Sequence, residues 1–298
     1  MVRPYDFVVE LKDIDIDDKH HVGEPAANLG SMVGKFPVPD GFVVSFPSYF
    51  EFLKHNNLDL KINHLIGAIN FDLHESINQV ASHVRKLIRS SKIPDNIVKA
   101  IMNSYEKIGN PKVLVRTSII TGDLDQNAFE REYTSHHVHG DSSLVDVIRS
   151  SWASIFTPEL IFHRHKNHID HLKTSTSAFV IRLADPITSG RILTADPHLN
   201  DGSKVIIQIP SDYFEFLVDR IGLSIQRRAK KILEQPQVII KNTSFVSPNI
   251  CDYEIIALAK LGIEIEKHFY FPLVIEWVKE KDSIYVFNVT KLDSYGKN

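Results

Sequence analysis

The chain has 298 residues, 43% of them hydrophobic and 24% charged, with a formal net charge of -3; this balance describes a globular chain long enough for two domains or one two-lobed unit, and it excludes a nucleic-acid binder carried by charge. Its single cysteine, Cys251, excludes an internal disulfide framework and fits a reducing cytoplasm. The opening "MVRPYDFVVELKDIDIDD" turns acidic before any apolar run reaches signal-peptide length, and the apolar runs elsewhere are far shorter than the ~20 residues of a membrane span, so a cytoplasmic, unanchored chain is expected.

In chain order, "EPAANLGSMVG" carries apolar residues at helical spacing through Ala27, Leu29, Met32 and Val33. "FPVPDGFVVSF" breaks that period with prolines and a glycine before a β-branched run, which reads as helix, turn, strand. Residues 48–108 repeat apolar positions at helical spacing between Asn and Pro breaks and form a helical block. A strand is expected over 112–118, then a polar loop, then the helix "SSLVDVIRSSWASIFT" capped by Ser142 or Ser143. From 178 the texture changes to short β-branched strands, "AFVIRLA", "GRILTAD", "KVIIQIP", "PQVIIKN", "PLVIEWV" and "SIYVFNV", interrupted by the helix "DYEIIALAKLGIEIEKHF". The expected class is therefore α+β, with a helix-rich lobe over 1–173 and a lobe built on an antiparallel sheet over 174–298. The hydroxyl-rich "HLKTSTS", 171–177, is the expected hinge.

Five segments in this order resemble the N-terminal ATP-grasp domain of phosphoenolpyruvate synthase and pyruvate phosphate dikinase. They are "VGEPAANLGSMVGKFPVPDGFVVS", "VLVRTSIITGDL", "VIRSSWASIFTPELIFHRHKNHI", "SGRILTADP", and "LAKLGIEIEKHFYFPLVIEWV" with "IYVFNV". The resemblance covers nearly the whole chain and implies a two-lobed fold that holds ATP with Mg²⁺.

A triphosphate needs cations or backbone N–H groups on its oxygens, and its bridging metal needs carboxylate or amide oxygens. By resemblance, Arg116 at the end of the 112–118 strand is the phosphate-directed guanidinium, suited by its bidentate donor fork. Asp123 in the loop and Arg191 in "SGRILT" join it as nucleotide-binding candidates, and Glu276 and Asn288 stand where the family has its metal-binding glutamate and glutamine. The alternatives read from the residues alone are an Arg116 paired with Asp123 or Glu276 with no ligand present, and Glu276 and Asn288 as ordinary polar strand positions.

The departures weigh against a complete site. Pro25 stands at the family's phosphate lysine, with Glu24 adding a negative charge beside it. Gly122 replaces a loop glutamate, and Glu130 and Arg131 cover a turn of small residues. Val274 and Thr290 replace an aspartate and an arginine of the closing strands, and the glycine-leucine-glycine-glutamate segment reads as deleted. Each lost charge-assisted contact is worth ~1.5–3 kcal/mol, so two or three would move binding from micromolar to roughly millimolar. Lys35, Arg131 and Arg191 are the candidate replacement cations.

His165, His168 and His171 would share a drifting stripe if their segment were helical, but no acidic or cysteine partner completes a metal set in sequence. Neither the phosphocarrier histidine nor the pyruvate-binding barrel of the family is expected within these 298 residues. Three functions stay open: an ATP-binding domain with an eroded phosphate site and a binding or regulatory role; an ATP-dependent phosphotransferase, pyruvate, water dikinase-like, acting on a histidine of a separate phosphohistidine-domain protein; and a structural protein that binds no nucleotide.

Overall fold

Two antiparallel sheets organise the chain in the computed structural model, which describes residues 6–120, 135–138, 141–183, 186–197, 199, 201–209, 214–229, 250–281 and 283–292. The chain divides into two compact units, one of Met1–Ser31 and Asp40–Leu183, the other of Met32–Pro39 and Ala184–Asn298.

In the first unit the strands are β1 (Val8–Glu10), β2 (Gly41–Val44), β3 (Val113–Ile120), β4 (Ser135–Val138) and β5 (Ser175–Arg182), in the order β1-β2-β5-β3-β4. The period of two in "VLVRTSII" turns Val113, Val115 and Ile119 into a helical core. Arg116 and Ser118 alternate with them and take the other face. The helices are α1 (Lys19–Val22), α2 (Glu24–Met32), α3 (Phe46–His55), α4 (Leu58–Gly67), α5 (His74–Ser90), α6 (Asp95–Lys107), α7 (Asp141–Ala153) and α8 (Pro158–Lys166). On α5 the buried residues Ile77, Ala81, Val84 and Ile88 recur every three or four positions, a single apolar stripe. Tyr49 and Phe52 of α3 meet the Trp152 ring at 6.0 and 5.0 Å between centroids. Each aromatic so buried stabilises the unit by about 1.5–3 kcal/mol.

A cation lies inside this core. Arg164 of α8 is fully buried, donates from Nη2 to the Ile155 carbonyl at 2.7 Å and from Nε to Nδ1 of His171 at 3.1 Å, and lies 5.3 Å from the Phe156 ring centroid. Burial, partly opposed by this guanidinium, raises the Tyr49 phenol above its ordinary range.

The second unit has β6 (Thr188–Leu193), β7 (Lys204–Gln208), β8 (Phe214–Asp219), β9 (Ile225–Ala229), β10 (Leu273–Glu280) and β11 (Ser283–Lys291), in the order β11-β10-β6-β7-β8-β9. Helix α9 (Asp252–Phe269) buries Ile255, Leu258, Ala259 and Ile265. At Gly262 it lies tight against the sheet, where a Cβ would fall 2.7 Å from Cγ2 of Ile192. Ion pairs fix both ends of the helix: Glu254 with Lys279 of β10, and Glu266 with Arg220, which also donates to the Thr194 carbonyl. Residues 32–39 strap onto this unit, because the Val286 N–H donates to the Pro37 carbonyl at 2.8 Å and Phe36 packs edge-on to His268 at 5.8 Å.

Several expectations are corrected. The helix-rich lobe also carries a five-stranded sheet among the described residues. The expected 173/174 boundary and the 171–177 hinge differ from the observed division, because β5 is the middle strand of the first sheet. Its hydroxyls are buried rather than solvated, and Ser177 Oγ donates to the Val22 carbonyl at 2.7 Å. Helix α7 begins at Asp141, ahead of the expected Ser142 or Ser143 cap. Strands β8 and β9 were unforeseen, and the expected strand "PQVIIKN" lies outside the described residues.

Candidate functional site

Three of the five expected site residues fall on one line across the second sheet. Asn288 of β11 stands opposite Glu276 of β10, and Glu276 stands opposite Arg191 of β6. Residues directly opposite in a ladder share a face, so their side chains are neighbours. The line continues through Gln208 of β7 and Glu215 of β8 to the register position of Arg228 on β9. It lies on the face away from α9, since Arg191 alternates with Ile192.

Burial makes this line electrostatically stiff. Glu276, Asn288 and Glu215 are 9%, 8% and 4% exposed. Arg191 Nη2 lies 3.7 Å from Glu276 Oε1, and Gln208 Nε2 donates to Glu215 Oε2 at 2.9 Å. Asn288 Oδ1 and Arg191 Nε are buried with no hydrogen-bond partner among the described residues. Groups so placed carry a desolvation cost of about 1–3 kcal/mol each until a ligand meets them. A bulge at Glu276/Trp277 shifts the ladder beside this point, a feature that recurs where a strand re-aims its side chains.

The next row on the same face is apolar. Val274 stands opposite both Thr290 and Leu193, and Leu193 leads to Ile206 and Leu217. These pack with Ala195 and Leu292 into a separate apolar cluster. Val274 and Thr290, where the resemblance has an aspartate and an arginine, are thus partners across the ladder.

Arg116, in the first unit, stands opposite Phe179 and Ser135 and is 5% exposed. Ser118 and its cross-strand partner Ser177 lie further along the same face. Gly23 sits against them at φ +89°, where a Cβ would fall 2.1 Å from Ser118 Oγ. Only glycine suits both that conformation and that approach. It delivers the chain directly into α2, with Glu24 exposed and Pro25 buried in the first turn. Lys35 is exposed on the strap. Asp123, Gly122, Glu130 and Arg131 lie outside the described residues.

Gln208 and Glu215 were missed. The segment read as deleted is occupied by β8, and its alternation of Phe214, Phe216 and Val218 with Glu215 and Leu217 was the available signal. The histidine stripe dissolves, because α8 ends at Lys166 and His168 takes a left-handed conformation, φ 56°. His165 stacks on Phe71 at 3.5 Å, His171 accepts from Arg164, and no described group of three His, Cys, Asp or Glu residues could hold a metal.

An α+β chain of two antiparallel-sheet units, one bearing a buried line of charged and amide groups beside an apolar row, has the frame of an ATP-grasp-like nucleotide-binding domain. It matches the pyruvate phosphate dikinase AMP/ATP-binding domain over residues 19–290 and belongs to that family. It is similar to a probable phosphoenolpyruvate synthase of Methanocaldococcus jannaschii, 26% identical over 98% of this chain and 27% of that protein. The phosphoenolpyruvate synthase of Pyrococcus furiosus is 25% identical over 93% of this chain and 42% of its own length. A rifampicin phosphotransferase of Bacillus cereus is 23% identical over 94% of this chain and 35% of its own. The chain thus spans less than half the length of these curated relatives. No described helix is long and apolar enough to cross a membrane.

Proposed function

We propose that this chain is an ATP-binding module with a binding or regulatory role, in which Arg116 and Arg191 are the phosphate-directed cations. The observation that carries this reading is the line Asn288–Glu276–Arg191, with its uncommitted Asn288 oxygen and Arg191 Nε. A charged row bordering the apolar row of Leu193, Ile206 and Leu217 suits a ligand with a polyphosphate at one end and a flat base at the other. Asp123 is a further nucleotide contact on this reading. Without a lysine at Pro25, affinity is about millimolar.

The resemblance also assigns Mg²⁺ to Glu276 and Asn288. Both offer oxygen, the donor type that Mg²⁺ takes. The fit is nonetheless poor: a guanidinium lies 3.7 Å from the Glu276 carboxylate, so a resident divalent cation would face a fixed positive charge.

Calorimetry with ATP tests the reading. Millimolar binding by the wild type that is lost in Arg116→Ala supports it; no heat at any accessible ATP concentration leaves only the structural alternative. Kinship with proteins named dikinase and phosphotransferase favours a second reading, phosphoryl transfer to a histidine on a separate phosphohistidine-domain protein, in the cytoplasm. Micromolar binding together with a labelled acid-labile phosphoprotein would move the conclusion there. On either reading the chain alone does not convert pyruvate to phosphoenolpyruvate.

A further inference from the structure

We infer, resting on the nucleotide-binding reading above, that Arg191 takes the place of the divalent cation, so that the chain binds a nucleoside triphosphate without metal. A metal at a polyphosphate neutralises charge and bridges neighbouring phosphate oxygens. Arg191 is placed to do both with its own side chain. It is the central member of the line, opposite Glu276 on one side and Gln208 on the other. Its contact with Glu276 Oε1, at 3.7 Å, is a charge contact and too long for a hydrogen bond, and its buried Nε has no hydrogen-bond partner among the described residues. With 27% of its side chain exposed, the planar guanidinium presents its Nη groups to phosphate oxygens while neutralising the carboxylate that a metal would otherwise need.

The neighbouring row supports this relocation of charge. Where the resemblance has an arginine on the last strand, Thr290 stands opposite Val274 in an uncharged pair. A positive charge of this face stands instead at Arg191, one row away and on the far side of β10, with Lys204 and the register position of Arg228 further along the sheet. Beyond it, Gln208 is held by Glu215 rather than by Arg191, which leaves the guanidinium oriented by Glu276. A guanidinium supplies charge and hydrogen bonds but no Lewis acidity, so this arrangement favours holding the nucleotide over transferring its phosphate.

Titration of the full chain with ATP in EDTA and in excess Mg²⁺ tests the inference, with Mn²⁺ binding followed by electron paramagnetic resonance. The wild type should bind ATP in EDTA as tightly as with Mg²⁺, or up to roughly tenfold more tightly, since metal-free ATP carries more negative charge. Arg191→Met, similar in length and uncharged, should lose metal-free binding at least about tenfold and gain Mn²⁺ binding as Glu276 and Asn288 are released. A wild type that needs Mg²⁺ for a tenfold or greater tightening overturns the inference and leaves the nucleotide reading standing. Unchanged metal-free binding in Arg191→Met, with native circular dichroism, does the same. A wild type that binds ATP under neither condition removes both. The wild-type pair of titrations needs no variant, so a misfolded Arg191→Met would not shelter the inference.

Discussion

Arg164 and His171 are locked together in the first unit, the guanidinium Nε–H donating to the imidazole Nδ1 at 3.1 Å. That bond requires a neutral imidazole. Burial first and the Arg164 charge second pull the His171 pKa from 6.5 down to about 4. Between those values the unfolded chain holds a proton that the folded chain refuses, so stability rises with pH across the window and is level above it. The imidazole is partly solvated, which discounts the effect to about 1–2 kcal/mol. Urea unfolding at pH 5 and pH 7 should show this difference, and His171→Gln, which keeps an acceptor without a titrating group, should shrink it.

Gly262 lies mid-helix, where alanine would ordinarily stabilise by about 0.5–1 kcal/mol. Here its Cβ would come within 2.7 Å of Ile192 Cγ2 in the sheet. Gly262→Ala should therefore destabilise the second unit by about 1–3 kcal/mol, and adding Ile192→Leu, which removes the Cγ2 methyl that the new Cβ meets, should recover part of the loss. Thermal unfolding of the single and double variants measures both.

Gly23→Ala should be costlier, because its φ of +89° and the 2.1 Å approach to Ser118 Oγ are separate penalties. A loss of about 2–4 kcal/mol is expected, and Ser118→Gly should relieve only the steric share. Full rescue by Ser118→Gly would mean that the backbone conformation costs nothing.

Pro25 contributes no N–H to α2, and Glu24 beside it is exposed. Lysine at 25 with glycine at 24 should tighten ATP binding about tenfold, the worth of one charge-assisted contact. Pro25→Lys alone should gain less, through pairing with Glu24. Calorimetry on both variants decides, and an unchanged affinity in the double variant would exclude α2 from the phosphate contacts.

Helix α9 was legible to the residue, because its apolar period, acidic first turn and Lys267–His268 end all agree. Strands β10 and β11 were legible for the same reason. The run "TSTS" was not: hydroxyls that look solvated in sequence are satisfied inside a sheet, a matter of distant partners such as Val22. At the site, Arg191, Glu276 and Asn288 were each found singly, but their alignment depends on ladder register, which no local pattern encodes. Glu215 was lost for a related reason, since departure from an expected motif hid an ordinary strand.

The strap of residues 32–39 sets an order of assembly. Its carbonyl at Pro37 caps Val286 of β11, so a segment made early in synthesis waits for nearly the last strand before it finds its partner. Meanwhile the chain on both sides of it, Met1–Ser31 and Asp40–Leu183, can complete the first unit and leave the strap as a projecting loop. The second unit thus closes through a contact of very high sequence separation, the slow kind in folding. A fragment beginning at 184 would carry all six described strands of its sheet yet lack the piece that finishes one edge.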